Sequence, residues 1–289
     1  MPSLIDFRRR IRSVKNTQQI TKAMKMVSAA KLRRAQERVI AARPYAQTMR
    51  EMLANLTAAA SSDDRAETSP WLAARESKRV DLIFLTSDTG LAGAFNSNLL
   101  KAAQKFAEEH AGKEITLTLV GRKGRDFFRK RNGKILSEHI NVLNKPTYQD
   151  AAGIAKDVIR RYRDGETDGV YIINNDFKSV MSANLSVAQI LPLQQSAASV
   201  ESSSSDYIYE QSPLDMLEQL IPRLVEVSVF RAMLETVAAY QAARMTAMET
   251  ASSNAKDVIE TLTLHMNRVR QAAITKEIIE VVSGAAAAE

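Results

Sequence analysis

The chain has 289 residues, a formal net charge of +7 and no cysteine. A chain of this length can bury one large or two modest hydrophobic cores. The absence of cysteine excludes disulfide bonds and thiolate metal sites. No apolar run approaches the roughly 20 residues that a membrane-spanning helix requires, and the first residues lack the apolar region of a secretory signal. We therefore expect a soluble cytoplasmic protein.

The first 58 residues carry the pattern of one long helix. Mostly apolar or small residues recur at alternating spacings of three and four, which places one stripe along a helix. These seam positions are Phe7, Ile11, Val14, Gln18, Thr21, Lys25, Ser28, Leu32, Ala35, Val39, Ala42, Ala46, Met49, Leu53 and Leu56. Ser3 and Asp6 fit a capping box at the helix start. Pro44 predicts a kink or a local break, because proline lacks a backbone N–H and clashes with the preceding turn.

Charge is concentrated in this N-terminal helix. Residues 1–58 contain thirteen Lys and Arg against three acidic residues, a net charge of +10, so the remainder of the chain is slightly acidic. A basic helix of this kind suits a nucleic acid or an anionic protein surface. It is equally typical of a solvated helix face with no partner.

The middle of the chain predicts a separate α/β domain over residues 78–195. Polar residues 57–70 precede it, and the serine run 202–205 follows it. The predicted strands are Val80–Thr86, Ile115–Val120, Lys134–His139, Gly169–Asn174 and Leu185–Leu191, and the predicted helices are 96–110, a short one after Gly121, and 148–162. This alternation is typical of a mostly parallel, Rossmann-like sheet covered by helices.

A second long helix is predicted over residues 211–284. Ser212, Pro213 and Asp215 suit the N-cap, first and third positions of a helix. The repeat of three and four continues at Leu217, Leu220, Leu224, Val227, Arg231, Leu234, Ala238, Gln241, Met245, Met248, Ser252, Ala255, Ile259, Leu262, Met266, Val269, Ala273 and Lys276. Because such a repeat needs a partner helix, we predict that the two ends of the chain form a long antiparallel coiled coil, with the α/β domain inserted between them. Val14 is expected opposite Met266 or a neighbour one turn away.

Groups suited to catalysis are scarce. His110, His139 and His265 lie far apart in sequence and form no metal-binding motif. The segment Ser87–Asn96 follows a strand and opens a helix, where doubly wound folds bind phosphate, but it matches neither glycine-rich phosphate-binding motif. A tight turn is therefore favoured there, and Asp88 has no evident catalytic partner. We expect no catalytic residue, no cofactor-binding residue and no metal site.

Five segments, in this order, carry a resemblance to a known family. They are Lys15–Val27, Ala42–Tyr45, Ser87–Asn96, Ala243–Met248 and Arg268–Gly284. Together they resemble the gamma subunit of the bacterial F-type ATP synthase nearly end to end. One position departs from the family, which usually carries Arg between the Asp and Gly of the central loop, where this chain has Thr89.

The resemblance implies a central-stalk rotor. In the family, the coiled coil enters the catalytic hexamer of alternating alpha and beta subunits, and the foot sits with the epsilon subunit on the membrane ring of c subunits. Proton flow turns the ring, and the rotor couples that rotation to ATP synthesis or hydrolysis without being catalytic itself. The implied location is peripheral, on the cytoplasmic face of the bacterial inner membrane.

The same resemblance implies six interface residues. They are Met24, Arg244, Arg270 and Gln271 towards the beta subunit, and Tyr207 and Glu210 towards the c-ring. Among them, Arg270 and Gln271 correspond to contacts of the beta catch loop. The basic first helix would then face acidic loops of the beta subunit.

Two other classes of function are consistent with the residues alone. A nucleic-acid-binding coiled-coil protein would use the same basic helix, although the chain lacks interleaved aromatic residues and a base-reading motif. A nucleotide-binding α/β enzyme would need a phosphate loop, which the sequence does not contain.

Overall fold

A computed structural model describes the main part of the chain, namely residues 3–60, 69, 71, 75–179, 183–193 and 211–286. The chain divides into two compact units. Residues 1–29 and 244–289 form one, which we call the terminal unit, and residues 30–243 form the other, the central unit. The three-part division expected from the sequence stays a prediction.

Helix α1 spans Leu4–Ala60 and begins at the predicted capping box. The backbone N–H of Ser3 donates to Asp6 Oδ2 at 3.0 Å, and the N–H of Asp6 donates to Ser3 Oγ at 3.2 Å. The hydrogen bond from the Ser3 side chain lowers the pKa of Asp6, because it favours the charged carboxylate. The first turn of α1 is therefore fixed by its own sequence.

Helix α1 continues through Pro44 without interruption. The local break that proline predicts does not occur. A proline inside a helix costs about 3 kcal/mol, whereas burying one Val or Met side chain contributes about 1.5–3 kcal/mol. The seam residues Val39, Ala46 and Met49 on either side are all buried, so packing against α5 offsets the lost backbone hydrogen bond.

Helix α5 spans Pro213–Ala286 and begins at the predicted proline. Within the central unit it packs antiparallel to α1. Arg43 Nη2 of α1 lies 3.7 Å from Glu235 Oε1 of α5, and the buried seam residues farther along α1 share a core with the start of α5. Those core residues are Met49, Leu53 and Leu56 of α1, with Leu214, Leu217 and Leu224 of α5.

Within the terminal unit the same two helices also run antiparallel. Gln18 Nε2 donates to the backbone oxygen of Ser252 at 3.4 Å, and Lys25 forms an ion pair with Glu249. Higher numbers on α1 therefore meet lower numbers on α5. The buried residues of this unit are Phe7, Thr21, Ser28, Met248 and Ala255, and each is a predicted seam position.

The register of this pair differs from the predicted one. The two contacts place Val14 opposite residues 256–260 of α5, where Ile259 is the seam residue. The expected neighbour, Met266, lies seven residues farther along, which is one heptad. By the same register, the first residues of α1 lie opposite residues near 268, so the last turns of α5 have no α1 residue beside them. Those turns expose Ile274, Ile278, Ile279, Val281 and Val282.

Five strands form one mixed sheet in the central unit, in the order β3-β2-β1-β4-β5. The strands are β1 Arg79–Leu85, β2 Glu114–Val120, β3 Ile135–His139, β4 Gly169–Phe177 and β5 Ala183–Leu191. All neighbouring pairs are parallel except β4 with β5. The predicted strands and the mostly parallel sheet are confirmed, and β4 extends three residues beyond its predicted end.

Three helices connect the parallel strands, and both faces of the sheet are buried. The helices are α2 Phe95–Glu109, α3 Arg122–Arg129 and α4 Tyr148–Arg163, with a 3-10 turn at Val142–Asn144. Successive strand residues point to opposite faces, so Ile83 and Leu85 join the core beneath α4 while Leu82 and Phe84 join the core beneath α2. This two-sided burial explains why β1 is a continuous apolar run.

Candidate functional site

The loop Ser87–Asn96 lies at the carboxyl end of β1, where the sheet continues to β2 on one side and to β4 on the other. Open α/β sheets bind ligands at such a switch point. The loop is closed by its own hydrogen bonds. The N–H of Ser87 donates to Asn96 Oδ1 at 3.1 Å, and Ser87 Oγ donates to the backbone oxygen of Thr89 at 2.6 Å. This is the tight turn that the sequence favours.

Asp88 connects three loops at this edge of the sheet. Its Oδ1 accepts hydrogen bonds from the backbone N–H of Arg122 at 3.0 Å and of Asn141 at 3.1 Å. The loop after β1 is thereby joined to those after β2 and β3. Sequence reasoning gave Asp88 no role, because its partners are 34 and 53 residues away and no local pattern indicates them.

Gly121 makes this close approach of the loops possible. Its φ is +96°, and a Cβ atom there would lie 2.1 Å from the backbone oxygen of Thr86. No other residue fits such a position without moving the backbone. Thr86 Oγ1 also accepts the N–H of Gly124 at 2.8 Å, which fixes the start of α3 against the end of β1.

Thr89 contacts the long helix α5. Its Oγ1 lies 2.5 Å from the hydroxyl of Tyr240, which in turn donates to the backbone oxygen of Gly90 at 3.2 Å. Thr89, which stands where the family usually carries Arg, therefore reaches α5 through its short hydroxyl side chain. Sequence reasoning missed the Tyr240 contact, because Tyr240 is not a seam position of the helical repeat.

Buried charges in the central unit belong to structural pairs. Arg161 Nε donates to Asp81 Oδ2 at 2.9 Å, and burial raises the pKa of Asp81 despite this partner. Arg79 donates to Asp168 at 2.9 Å. No group of three or more His, Asp or Glu that could hold a metal ion occurs within the described residues.

The histidines remain separate in the structure. His110 Nδ1 lies 2.9 Å from the backbone oxygen of Phe106 and stacks on its ring. His139 Nε2 lies 3.2 Å from Ser137 Oγ, and burial lowers the pKa of His139. His265 is exposed on α5. The three therefore do not form one site.

The predicted interface residues fall into two groups on the terminal unit. Met24 is half-buried, and the register places it about one turn from Arg244. Arg270 and Gln271 are exposed on the part of α5 beyond the start of α1. The two groups are 26 residues apart on α5, or about 39 Å at 1.5 Å per residue. The remaining candidates, Tyr207 and Glu210, lie outside the described residues.

Arg244 has an unusual environment among these candidates. Its Nε is buried and has no hydrogen-bond partner within the part of the chain that the structure describes. A buried donor without an acceptor costs about 1–3 kcal/mol, and more when the group is charged. This unsatisfied donor is therefore a local cost to the terminal unit.

As for membrane insertion, none of the described helices combines the length and hydrophobicity that a bilayer span demands.

Comparison with known proteins gives matches over nearly the whole chain. Residues 3–288 match the profile of the ATP synthase family. The ATP synthase gamma chain of Solibacter usitatus is 57% identical over 289 residues, which cover all of both chains. That of Geobacter metallireducens is 49% identical over 287 residues, covering 99% of this chain and 98% of the relative.

Solved structures agree with these matches. A chain of the Tetrahymena thermophila mitochondrial ATP synthase, from its central stalk and c-ring, is 27% identical, with a TM-score of 0.63 over 81% of this chain and 99% of that chain. A chain of the Euglena gracilis mitochondrial ATP synthase in rotational state 3 has a TM-score of 0.68 over 98% of this chain and 94% of that chain, and at 20% identity it shows the fold alone. The chain thus belongs to the ATP synthase gamma chain family.

Proposed function

We propose that this chain is the central-stalk rotor of an F-type ATP synthase. It couples proton-driven rotation of the c-ring to ATP synthesis, or to hydrolysis in reverse, at the hexamer of alpha and beta subunits. The observation that carries this proposal is the full-length identity of 57% with an ATP synthase gamma chain. No comparison supports the alternative of a nucleic-acid-binding coiled coil.

The rotor is not itself catalytic in this proposal. The loop after β1 is closed by its own hydrogen bonds, and the titratable groups Asp81, Asp168 and Glu235 are each occupied by cationic partners. These contacts hold the fold together. The chain's contribution to the enzyme complex is mechanical, through the two helices that transmit torque.

The end of α5 is proposed to contact the beta subunit. Arg270 and Gln271 are exposed there. Arg offers five N–H donors in a rigid fork, and Gln adds both a donor and an acceptor, so together they suit the polar catch loop of beta. The exposed apolar residues beyond them, such as Ile278 and Val282, suit an apolar collar in which a shaft can turn.

A second contact with the beta subunit is proposed around Met24 and Arg244. Met24 supplies a flexible apolar surface that adapts to a changing neighbour. Arg244 is partly exposed, and the terminal nitrogens of its guanidinium are strong donors. A backbone or carboxylate oxygen of beta would accept hydrogen bonds from them. The basic exposed face of α1 would add electrostatic attraction to acidic loops of beta.

A foot that contacts the membrane sector is also part of the proposal. Tyr207 and Glu210 would contact the c-ring, and the epsilon subunit would bind beside the α/β domain. This part of the proposal rests on the family resemblance. We propose on the same ground that the chain lies peripherally on the cytoplasmic face of the bacterial inner membrane.

The proposal is tested by affinity purification of the full chain from its own organism, carrying a tag inserted after Gly112 in the exposed turn between α2 and β2. We expect it to co-purify with alpha and beta subunits at one copy per three beta subunits, together with ATPase activity. The purified chain alone should release no phosphate from ATP. Recovery of the chain with nucleic acid and without alpha and beta subunits would contradict the proposal.

A further inference from the structure

A cavity of about 340 Å³ lies in the central unit, next to the switch point of the sheet. Its walls are formed by residues 31–38 of α1, 87–89 after β1, 143–146 after β3, and 234–241 of α5. These are the elements that the Asp88 and Tyr240 contacts hold together. The cavity is therefore a preformed space at the position where α/β sheets most often bind ligands.

The lining of this cavity is strongly basic. Its charged residues are Lys31, Arg34, Arg38, Lys145 and Asp88, so its formal net charge is three positive. None of the four cations forms an ion pair or hydrogen bond with another residue in the described ranges, whereas Arg33 and Arg43 on the same helix both have carboxylate partners. Arg34 and Arg38 are one turn apart, where like charges destabilise a helix. A bound anion would remove that repulsion.

We propose that this cavity binds free hydrogen phosphate. The four cations neutralise the phosphate charge and donate hydrogen bonds to its oxygens. The proton that hydrogen phosphate retains at neutral pH donates to the carboxylate of Asp88. Sulfate has the same shape and charge but carries no proton, so it cannot make this bond and is repelled by Asp88. This site goes beyond the proposed rotor function and does not depend on it.

The test is calorimetric titration of the full chain in chloride buffer at neutral pH, with sodium phosphate, sodium sulfate and ATP in separate experiments. We expect phosphate to bind at one site at least about tenfold more tightly than sulfate, because the lost hydrogen bond is worth that much. We expect ATP to bind more weakly than phosphate, because its ionised terminal phosphate, like sulfate, carries no proton for Asp88 to accept.

Two variants separate the site from general charge. The double variant Arg34→Gln with Lys145→Gln should weaken phosphate binding at least about tenfold. Lys15→Gln with Lys22→Gln, which removes the same charge from exposed positions outside the cavity, should leave it within about twofold.

Four results would overturn the proposal. The first is an absence of saturable binding at millimolar phosphate. The second is equal binding of sulfate and phosphate, which identifies an adventitious ion only. The third is a stronger affinity for ATP than for phosphate, which identifies a nucleotide site. Equal effects of the Arg34 and Lys145 pair and of the Lys15 and Lys22 pair would also contradict it.

Discussion

Thr89 Oγ1 lies 2.5 Å from the hydroxyl of Tyr240, and this contact joins the loop after β1 to α5 across 151 residues of sequence. Because Tyr240 donates its single proton to the backbone oxygen of Gly90 at 3.2 Å, Thr89 is the donor to Tyr240. The Tyr240 ring packs edge-on against Phe95 at a centroid distance of 5.6 Å. One side chain of α5 therefore holds both the start and the end of the loop.

Replacing Tyr240 by Phe should lower the free energy of unfolding by about 1–2 kcal/mol. The ring packing survives, but the oxygen of Gly90 and the hydroxyl of Thr89 lose their partner. Urea denaturation followed by circular dichroism measures the change. Tyr45→Phe is the matched control, because Tyr45 is 60% exposed and its hydroxyl should contribute less than about 0.5 kcal/mol. Equal stabilities for both variants would show that the Tyr240 hydroxyl does not hold the loop.

The sequence predicts the sheet well, but not the contacts that fasten its loops. Val80–Thr86 reads as a buried strand because both of its faces are apolar, which is a local property. Asp88 and Tyr240 act through partners 34 to 151 residues away. Such contacts depend on the tertiary arrangement and leave no periodic signal. The six interface residues are predicted from the family resemblance alone, because no pattern in the sequence indicates them.

The register of the two long helices shows a second limit of sequence reasoning. A heptad repeat fixes which residues face the partner helix, but a shift by one heptad keeps every seam position in the seam. Val14 therefore faces Ile259 rather than Met266, although both are seam residues. Pro44 shows a related limit, because its effect depends on how much packing surrounds it.

The observed register predicts which cysteine pair forms a disulfide. Val14→Cys with Ile259→Cys should cross-link rapidly within one chain under mild oxidation. Val14→Cys with Met266→Cys is the control, and it should react slowly, because seven helical residues displace the partner by about 10 Å while a disulfide needs Cα atoms within about 7 Å. The native chain has no cysteine, so a non-reducing gel reads the result directly. Links that form only between chains would contradict the antiparallel pair.

Glu235 should make stability depend on pH in the mildly acidic range. Burial raises its pKa above the ordinary 4.5, while Arg43, Arg231 and the N–H of Phe177 oppose that rise and Asp176 adds to it. A raised carboxyl pKa means that the folded state binds the proton more readily than the unfolded state. The contribution of Glu235 to stability therefore falls as pH rises from 4.5 through its folded pKa.

The isosteric variant Glu235→Gln tests this dependence. It keeps an acceptor for the Phe177 N–H, which donates to Glu235 Oε2 at 2.9 Å, but it does not titrate. We expect the free energy of unfolding of the variant, minus that of the native chain, to increase as the pH rises from 4.5 to 7. Urea denaturation of both proteins across this range measures the difference. A difference that stays constant with pH would exclude titration of Glu235 as its source.

The double variant Arg270→Leu with Gln271→Leu should weaken assembly of the chain with the alpha and beta subunits and reduce ATP turnover. Each charge-assisted hydrogen bond lost at a desolvated interface is worth about 1.5–3 kcal/mol. Lys101→Leu with Gln104→Leu on the exposed face of α2 is the control for added surface leucines. Circular dichroism should show that both variants remain folded. Native ATPase rate and native resistance to dissociation in the first variant would show that these residues have no partner.

The most direct measurement is the rotation of this chain inside a hexamer of alpha and beta subunits from the same organism. Glu108→Cys on the exposed face of α2 provides a unique attachment point for a bead, because the native chain contains no cysteine. With the hexamer fixed to a surface, we expect ATP to drive sustained rotation of the bead in one direction. A bead that stays still while the same complexes hydrolyse ATP would contradict the rotor function.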